Sequence, residues 1–304
     1  MQPMIEVTGL KKAYGKVQAV KGLDFTVERG KLFAFLGPNG AGKSTTIDMI
    51  CTFLRPDAGR VVVDGHVLGE ADDAIRTCIG VVFQDGVLDA LLSVRENLRA
   101  RAAFYGIKGA ALEQAIDFAA QATDLASLLD RPYGKLSGGQ RRRADIARAL
   151  VHTPKVLFLD EPTTGLDPQT RRSVWQTIRR IQQQSGMTVF LTTHYMEEAA
   201  EADRVIVIDD GRIAARGTPA ELKERYADDR LLLTPADADA LEDALRLAGI
   251  GYEKQGGQLA VRLNRTMDAL PILKRCEALL EGFEVLRGTM DDAFIGITGK
   301  EMRQ

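Results

Sequence analysis

Nine residues, Gly37-Pro38-Asn39-Gly40-Ala41-Gly42-Lys43-Ser44-Thr45, constrain this chain more than any other stretch. They follow the apolar run KLFAFL, a strand candidate, and open the helix-like run TTIDMI. Gly37, Gly42, Lys43 and Ser44 fill the pattern G-x-x-x-x-G-K-[ST], the phosphate-binding P-loop. A triphosphate needs several backbone N–H groups aimed at one point, and small residues let the backbone wrap close to the anion. The helix that follows turns the positive end of its dipole toward the phosphates. Lys43 supplies a mobile point charge for the β- and γ-phosphates, and Ser44 a hydroxyl for Mg²⁺. A plain glycine turn between strand and helix would fill all four fixed positions only by coincidence.

The chain has 304 residues, room for two domains or for one large domain with an appendage. Its net charge of −2 gives no bulk attraction for nucleic acid or anionic lipid, and no nucleic-acid partner is expected. Cys51, Cys78 and Cys276 stand too far apart for a zinc pattern and read as reduced thiols filling the core of a cytoplasmic protein. The opening MQPMIEVTGLKKAYG has neither the apolar stretch nor the cleavage site of a signal peptide. No apolar run approaches about 18 residues, so no membrane span is expected. A role at a membrane would then need another subunit to cross the bilayer.

The first 30 residues alternate as short antiparallel strands, with turns expected at Thr8-Gly9 and at Glu28-Arg29-Gly30. Tyr14 is read in the first of these turns; a lone Tyr in a turn is ordinarily a surface residue, and its alternative use is a flat face for a purine. Three valines at 61–63 and the run Ile79–Gln84 read as buried strands, the second ending on Gln84. From about 89 to 150 the texture is helical: Ser93 and Glu96 form a capping box, and residues 109–130 are Ala-rich with helical apolar spacing. This insertion closes on Leu136-Ser137-Gly138-Gly139-Gln140, with Ser137 as N-cap of the next helix and Gly138 and Gly139 in its first turn. Arg141, Arg142 and Arg143 follow, and positive charge at a helix start opposes the dipole. A rule broken at a glycine-rich helix start hints at an anion site, against the plainer reading of a solvated basic turn.

Val156–Asp160 is an apolar run ending in Asp160-Glu161, as suits a strand buried in a parallel sheet whose ligands bind beyond the carboxyl ends. Asp160 is the candidate Mg²⁺ partner, and Glu161 the group to orient or deprotonate an attacking water. Asp167 reads as N-cap of a helix over 168–184, and Met187–His194 as the next strand, ending on His194. His194 therefore sits where Gln84 and Asp160 sit, at a strand's C-terminal end. A hairpin turning at Asp209-Asp210-Gly211 and a capped helix at 218–226 complete this domain, residues 1–226. Residues 227–304 then read βαββαβ with a closing helix, a small α+β ferredoxin-like unit with no phosphate loop and no catalytic role.

With these stretches in order, the chain resembles the ATP-binding subunit of an ABC transporter over about residues 4–220. Residues 37–45 resemble the Walker A loop, 136–140 the LSGGQ signature, and 156–161 Walker B with its catalytic glutamate. Gln84 falls on the Q-loop, Gly165-Leu166-Asp167 on the D-loop, His194 on the switch histidine and Tyr14 on the adenine-stacking A-loop. Residues 194–222 and 289–299 further resemble the daunorubicin-resistance type of drug-export ATPase. The resemblance implies a P-loop NTPase (ABC ATPase) α/β domain with an antiparallel β subdomain and a helical insertion. It implies ATP and Mg²⁺ as cofactors, the latter managed by Ser44, Gln84 and Asp160. Catalysis would fall to Glu161, His194, Gln84 and Lys43; Ser137, Gly138 and Gly139 would cover the γ-phosphate of a second copy's ATP, and Gln140 and Asp167 would also belong to the cofactor-binding residues. It implies a homodimer through the ATP sites, integral membrane permease subunits on separate chains, and a place on the inner face of the cell membrane. The alternative is a non-transport ABC ATPase acting on ribosome or DNA. Such relatives carry two ATPase domains in one chain or a long coiled coil, and neither feature is seen here.

Overall fold

In this computed structural model, residues 2–299 are described, and they form two compact units that divide in sequence between Arg216 and Gly217. The first unit is built on a six-stranded sheet. Its strands lie in the order Arg212–Gly217, Arg204–Asp209, Leu32–Leu36, Thr188–Thr192, Val156–Asp160 and Ile79–Val82. The last five run parallel. Leu32–Leu36 and Thr188–Thr192 are buried at every position, which is why they read as unbroken apolar runs rather than alternating ones. Phe33, Phe158 and Phe190 interlock there, with ring centroids 5.0 and 5.1 Å apart.

A second, antiparallel sheet orders Val17–Val27, Ile5–Tyr14, Ala58–Val63 and His66–Val67. Thr8-Gly9 is not a turn: Ile5–Tyr14 is one strand, and the register shifts between Val7 and Leu10. Gly9 has φ +58° and its N–H bonds the Asp24 carboxylate at 2.8 Å, so the Thr-Gly pair makes a bulge. The chain actually reverses at Gly15-Lys16, which leaves Tyr14 at the tip of the hairpin.

The insertion contains the helices Val94–Ala103, Ala110–Ala122 and Gly138–Leu150. Ser93 and Glu96 cap the first as expected. The Ala-rich helix stops at Ala122, where Asp124 takes φ +54° and the chain turns through a short 3₁₀ segment, Ala126–Leu128. Two strands are shorter than their apolar runs: Ile79–Val82 ends before Gln84, and Thr188–Thr192 before His194. Both side chains thus stand on loops just past the sheet. Among the described residues no helix is long and apolar enough to cross a membrane. Cys51, Cys78 and Cys276 are free and buried.

The second unit is a four-stranded antiparallel sheet ordered Glu253–Gln255, Gln258–Leu263, Asp229–Pro235, Leu280–Leu286. The helices Ala238–Leu247 and Ala269–Cys276 supply Leu241, Leu245 and Cys276 to its core with Leu231, Leu233 and Val261. The strand order is that of a split βαβ unit. Helix Pro219–Tyr226 belongs with this unit, ahead of the boundary expected at 226: it packs on Met290–Thr298, where Gly296 lies so close to the Tyr226 carbonyl that a Cβ would come within 2.3 Å.

Candidate nucleotide-binding site

The loop Gly37–Gly42 leaves the buried strand Leu32–Leu36 and enters the helix Lys43–Ile50. Two of its glycines are required by close approach. A Cβ on Gly37 would lie 2.3 Å from the Ile208 carbonyl, and one on Gly42, at φ +101°, 2.5 Å from that of Ala19. The Gly211 N–H donates to the Ala41 carbonyl at 3.1 Å, and the Lys21 N–H to that of Gly211 at 2.9 Å. Hairpins from both sheets thus brace the loop from outside. Gly42 offers no capping side chain, so the first amides of the helix stay free to meet an anion. Asn39, Gly40 and Ser44 are exposed. Lys43 is buried and donates to the Gly37 and Pro38 carbonyls at 2.6 and 3.2 Å. Burial lowers its pKa, opposed by the charges of Glu161 and Asp160, so both acids act on the loop lysine.

Strand Val156–Asp160 delivers those acids to the same end of the sheet. Asp160 Oδ1 accepts from the Thr192 hydroxyl. Glu161 takes φ +46°, and its N–H bonds the carbonyl and hydroxyl oxygens of Thr192, both at 3.1 Å. Its Oε2 lies 3.3 Å from His194 Nδ1 and accepts from the Thr164 hydroxyl at 3.3 Å. A non-glycine residue in this backbone region stores about 1–3 kcal/mol of strain and marks a site its surroundings over-determine. The charge of Asp160 also helps burial raise the Asp48 carboxyl, which places Asp160 electrostatically beside the P-loop helix. A hydroxyl and a carboxylate are hard oxygen donors, so Ser44 and Asp160 fit Mg²⁺. Gln84 has another setting: it is exposed and lines a cavity of about 290 Å³ with Gly138, Arg141, Pro162 and Thr164.

Ser137 caps its helix in a box with Gln140, its N–H meeting the Gln140 side-chain oxygen at 3.0 Å. The glycines after it are packing positions: a Cβ would lie 3.3 Å from Leu166 on Gly138 and 2.3 Å from Thr170 Cγ2 on Gly139. Asp167 caps the helix Pro168–Ser185 through the Thr170 N–H at 3.0 Å, and bonds to Thr170 hold its carboxyl below the usual range. The signature segment therefore packs against the residues that follow Glu161, while the phosphate loop is braced by Ala19, Ile208 and Gly211.

Two arginines of the basic turn are held within the chain. Arg141 donates to the Leu136 and Gly134 carbonyls at 3.0 and 2.8 Å, and Arg142 turns inward to main-chain carbonyls. Sequence reasoning also missed Glu198, which is buried and accepts from the hydroxyls of Thr163 and Thr193. Burial raises its pKa, and it ties the segment after Glu161 to the residue beside His194. Its signal in the sequence was only an acidic run. Asp64, His66 and Cys78 also gather, but Arg29 and Lys155 hold Asp64 at 2.6 and 2.5 Å and burial pushes the Cys78 thiol up, so the group is an ion-pair cluster. Tyr14 is 51% exposed, its ring open to solvent.

Comparison with known proteins gives the family. The profile of the ABC transporter family matches residues 20–164. The daunorubicin resistance ATP-binding protein DrrA3 of Streptomyces coeruleorubidus is 40% identical over 98% of this chain and 97% of its own length. The Nod factor export ATP-binding protein I of Ralstonia nicotianae is 37% identical over 99% and 95%. A dimeric ATP-binding cassette solved in a post-hydrolysis state with ADP and phosphate superposes with a TM-score of 0.64 at 28% identity, covering 71% of this chain and 98% of that one. The chain belongs to the ATP-binding, ATP-hydrolysing subunits of ABC transporters, in the group of the daunorubicin-resistance proteins.

Proposed function

We propose that the chain drives an exporter of a drug, antibiotic or other small hydrophobic molecule. Two copies close head to tail around two ATP, and integral membrane subunits on separate chains form the path across the bilayer. The convergence of Lys43, Asp160, Glu161 and His194 at one end of the parallel sheet carries this reading. Lys43 and backbone N–H groups of the loop and of the first turn of its helix hold the phosphates, and the exposed Tyr14 offers a stacking face for adenine. Ser44, Asp160 and Gln84 would hold Mg²⁺, which when bound offsets phosphate charge. Glu161 orients and polarises the attacking water, while His194, held 3.3 Å from it, donates to the γ-phosphate as charge builds there. Ser137, Gly138, Gly139, Gln140 and Asp167 of the second copy cover that phosphate. The packing of the signature segment on Leu166 and Thr170, away from the braces of its own P-loop, supports action in trans. ATP is then a ligand with higher affinity for the closed pair, and hydrolysis removes the preference.

Docking of the membrane subunits is read on the first unit near Gln84. A cavity of about 470 Å³ there is lined by Phe53, Arg76, Phe83, Arg101 and Phe104, and suits the apolar tip of a helix bearing a carboxylate. Phe53 and Phe104 are 55% and 82% exposed beside it. On this proposal the protein works peripherally on the inner face of the cell membrane. Relatives named for drug resistance and for Nod factor export support outward transport. Purification from native membranes tests the proposal: recovery with an integral membrane protein is expected, and recovery only in the soluble fraction without one contradicts it.

A further inference from the structure

Arg142 is 7% exposed and has no part in the roles assigned above. Its guanidinium donates to five backbone carbonyls: Pro162 through Nε, Phe83 at 2.5 Å and Gln84 at 3.4 Å through Nη1, and Asp160 at 3.2 Å and Glu161 at 3.0 Å through Nη2. One side chain therefore grips both the loop after Ile79–Val82 and the loop after Val156–Asp160. These strands are ladder neighbours, but their pairing ends at Val82 and Leu159, before either loop begins. Burying a guanidinium is costly unless its donors are used, and charge-assisted bonds to carbonyls offset that cost. Asp145, Asp160 and Asp85 face it with favourable charge.

The grip falls where the backbone needs one. Glu161 stands at φ +46°, with its N–H fixed by Thr192 and its C=O by Arg142. We infer that Arg142 is a positioning residue: it fixes the strained main chain of Glu161 and ties it to the main chain of Gln84, so that displacement of the Gln84 loop is transmitted to the carboxylate that polarises water. This inference rests on the proposed role of Glu161. It also explains an arginine here rather than a lysine. A planar fork with five N–H groups reaches carbonyls on two loops at once, whereas an ammonium is a single point of contact.

The test is Arg142→Lys in the full chain, with thermal melting as the check on folding. The expected result is an ATP affinity within about twofold of the parent and a kcat lower by about tenfold or more. Added to Glu161→Gln, the substitution should lower the residual rate by less than about twofold, because it acts through Glu161. Arg142→Ala should recover activity with added guanidinium and not with sodium chloride. Parent-like kcat in folded Arg142→Lys, or fully additive losses in the double variant, overturns the inference. Parent-like hydrolysis by Glu161→Gln alone instead overturns the role of Glu161. Should neither Arg142 variant fold, hydrogen exchange of the unmodified chain decides. Segments 84–86 and 161–164 must change protection together when ATP is added, and independent changes refute the link.

Discussion

Two largely buried groups in the first unit titrate in opposite senses, and their balance can be broken by one substitution. His152 Nε2 lies 2.9 Å from the Ile79 carbonyl, and its ring stacks on Tyr105 with centroids 3.9 Å apart. Burial, helped by the charges of Arg101 and Arg148 and opposed by the Ile79 carbonyl, lowers its pKa from 6.5 to about 4. Burial raises the Asp145 carboxyl from 3.8 to about 6, against the pull of Arg142, Arg148, the Tyr133 hydroxyl and the Val87 backbone. As pH falls from 6.5 toward 4, the unfolded chain protonates at residue 152 before the folded one, so His152 lowers stability on acidification. As pH falls from 6 toward 3.8, the folded chain protonates first at Asp145, so Asp145 raises it. At about 1.4 kcal/mol per pKa unit, each contribution is on the order of 3 kcal/mol, and in the parent they nearly cancel.

His152→Asn removes one side of that balance. At pH 7.5 the variant should be less stable by roughly 1–2 kcal/mol, from the lost stacking and hydrogen bond. Toward pH 4 it should regain on the order of 3 kcal/mol relative to the parent, so the difference changes sign. Urea unfolding followed by Trp175, the only tryptophan and part of helix Pro168–Ser185 in the same unit, measures this. A stability difference that is the same at pH 7.5 and pH 4 would show that His152 is not held neutral by its burial.

Other outcomes follow from the site. Glu161→Gln should keep ATP binding and elute as a dimer when ATP is present; parent-rate hydrolysis by this variant would remove Glu161 from the chemistry. Tyr14→Ala should weaken ATP while leaving free phosphate unaffected in competition binding, and equal losses would show that the ring does not stack on adenine. Gly139→Ala puts a Cβ 2.3 Å from Thr170 Cγ2 and should cost about 1–3 kcal/mol by overpacking. Adding Thr170→Ser removes that methyl and should recover most of the loss in a melting experiment; no recovery would place the clash elsewhere.

The sequence made the site legible where a residue's type and its spacing carry the constraint. Gly37, Gly42, Ser137 and Asp160 declare themselves because a close approach, a cap or a buried strand end admits few alternatives. The Thr8-Gly9 turn misled because a bulge and a turn ask for the same glycine backbone, and only pairing on both sides tells them apart. Arg142 stands out in the sequence only as part of a basic helix start, because its partners are carbonyls from segments about 20 and 60 residues away. Glu198 was hidden for the same reason: its partners are hydroxyls on two separate loops. In the second unit the βαββαβ order read from the sequence matches the strands and helices found, with the hairpin turning at Gly256-Gly257. The assignment of helix Pro219–Tyr226 depends on tertiary contact with Met290–Thr298, which no local pattern encodes.

In the proposed mechanism each P-loop is half of a catalytic site. ATP hydrolysis measured against protein concentration, with ATP binding followed in the same samples, tests it most directly. Dilution to monomers should leave ATP bound while activity per molecule falls toward zero, with the rate varying as the square of concentration in the dilute range. Activity per molecule that stays constant down to concentrations where light scattering finds only monomers would contradict it.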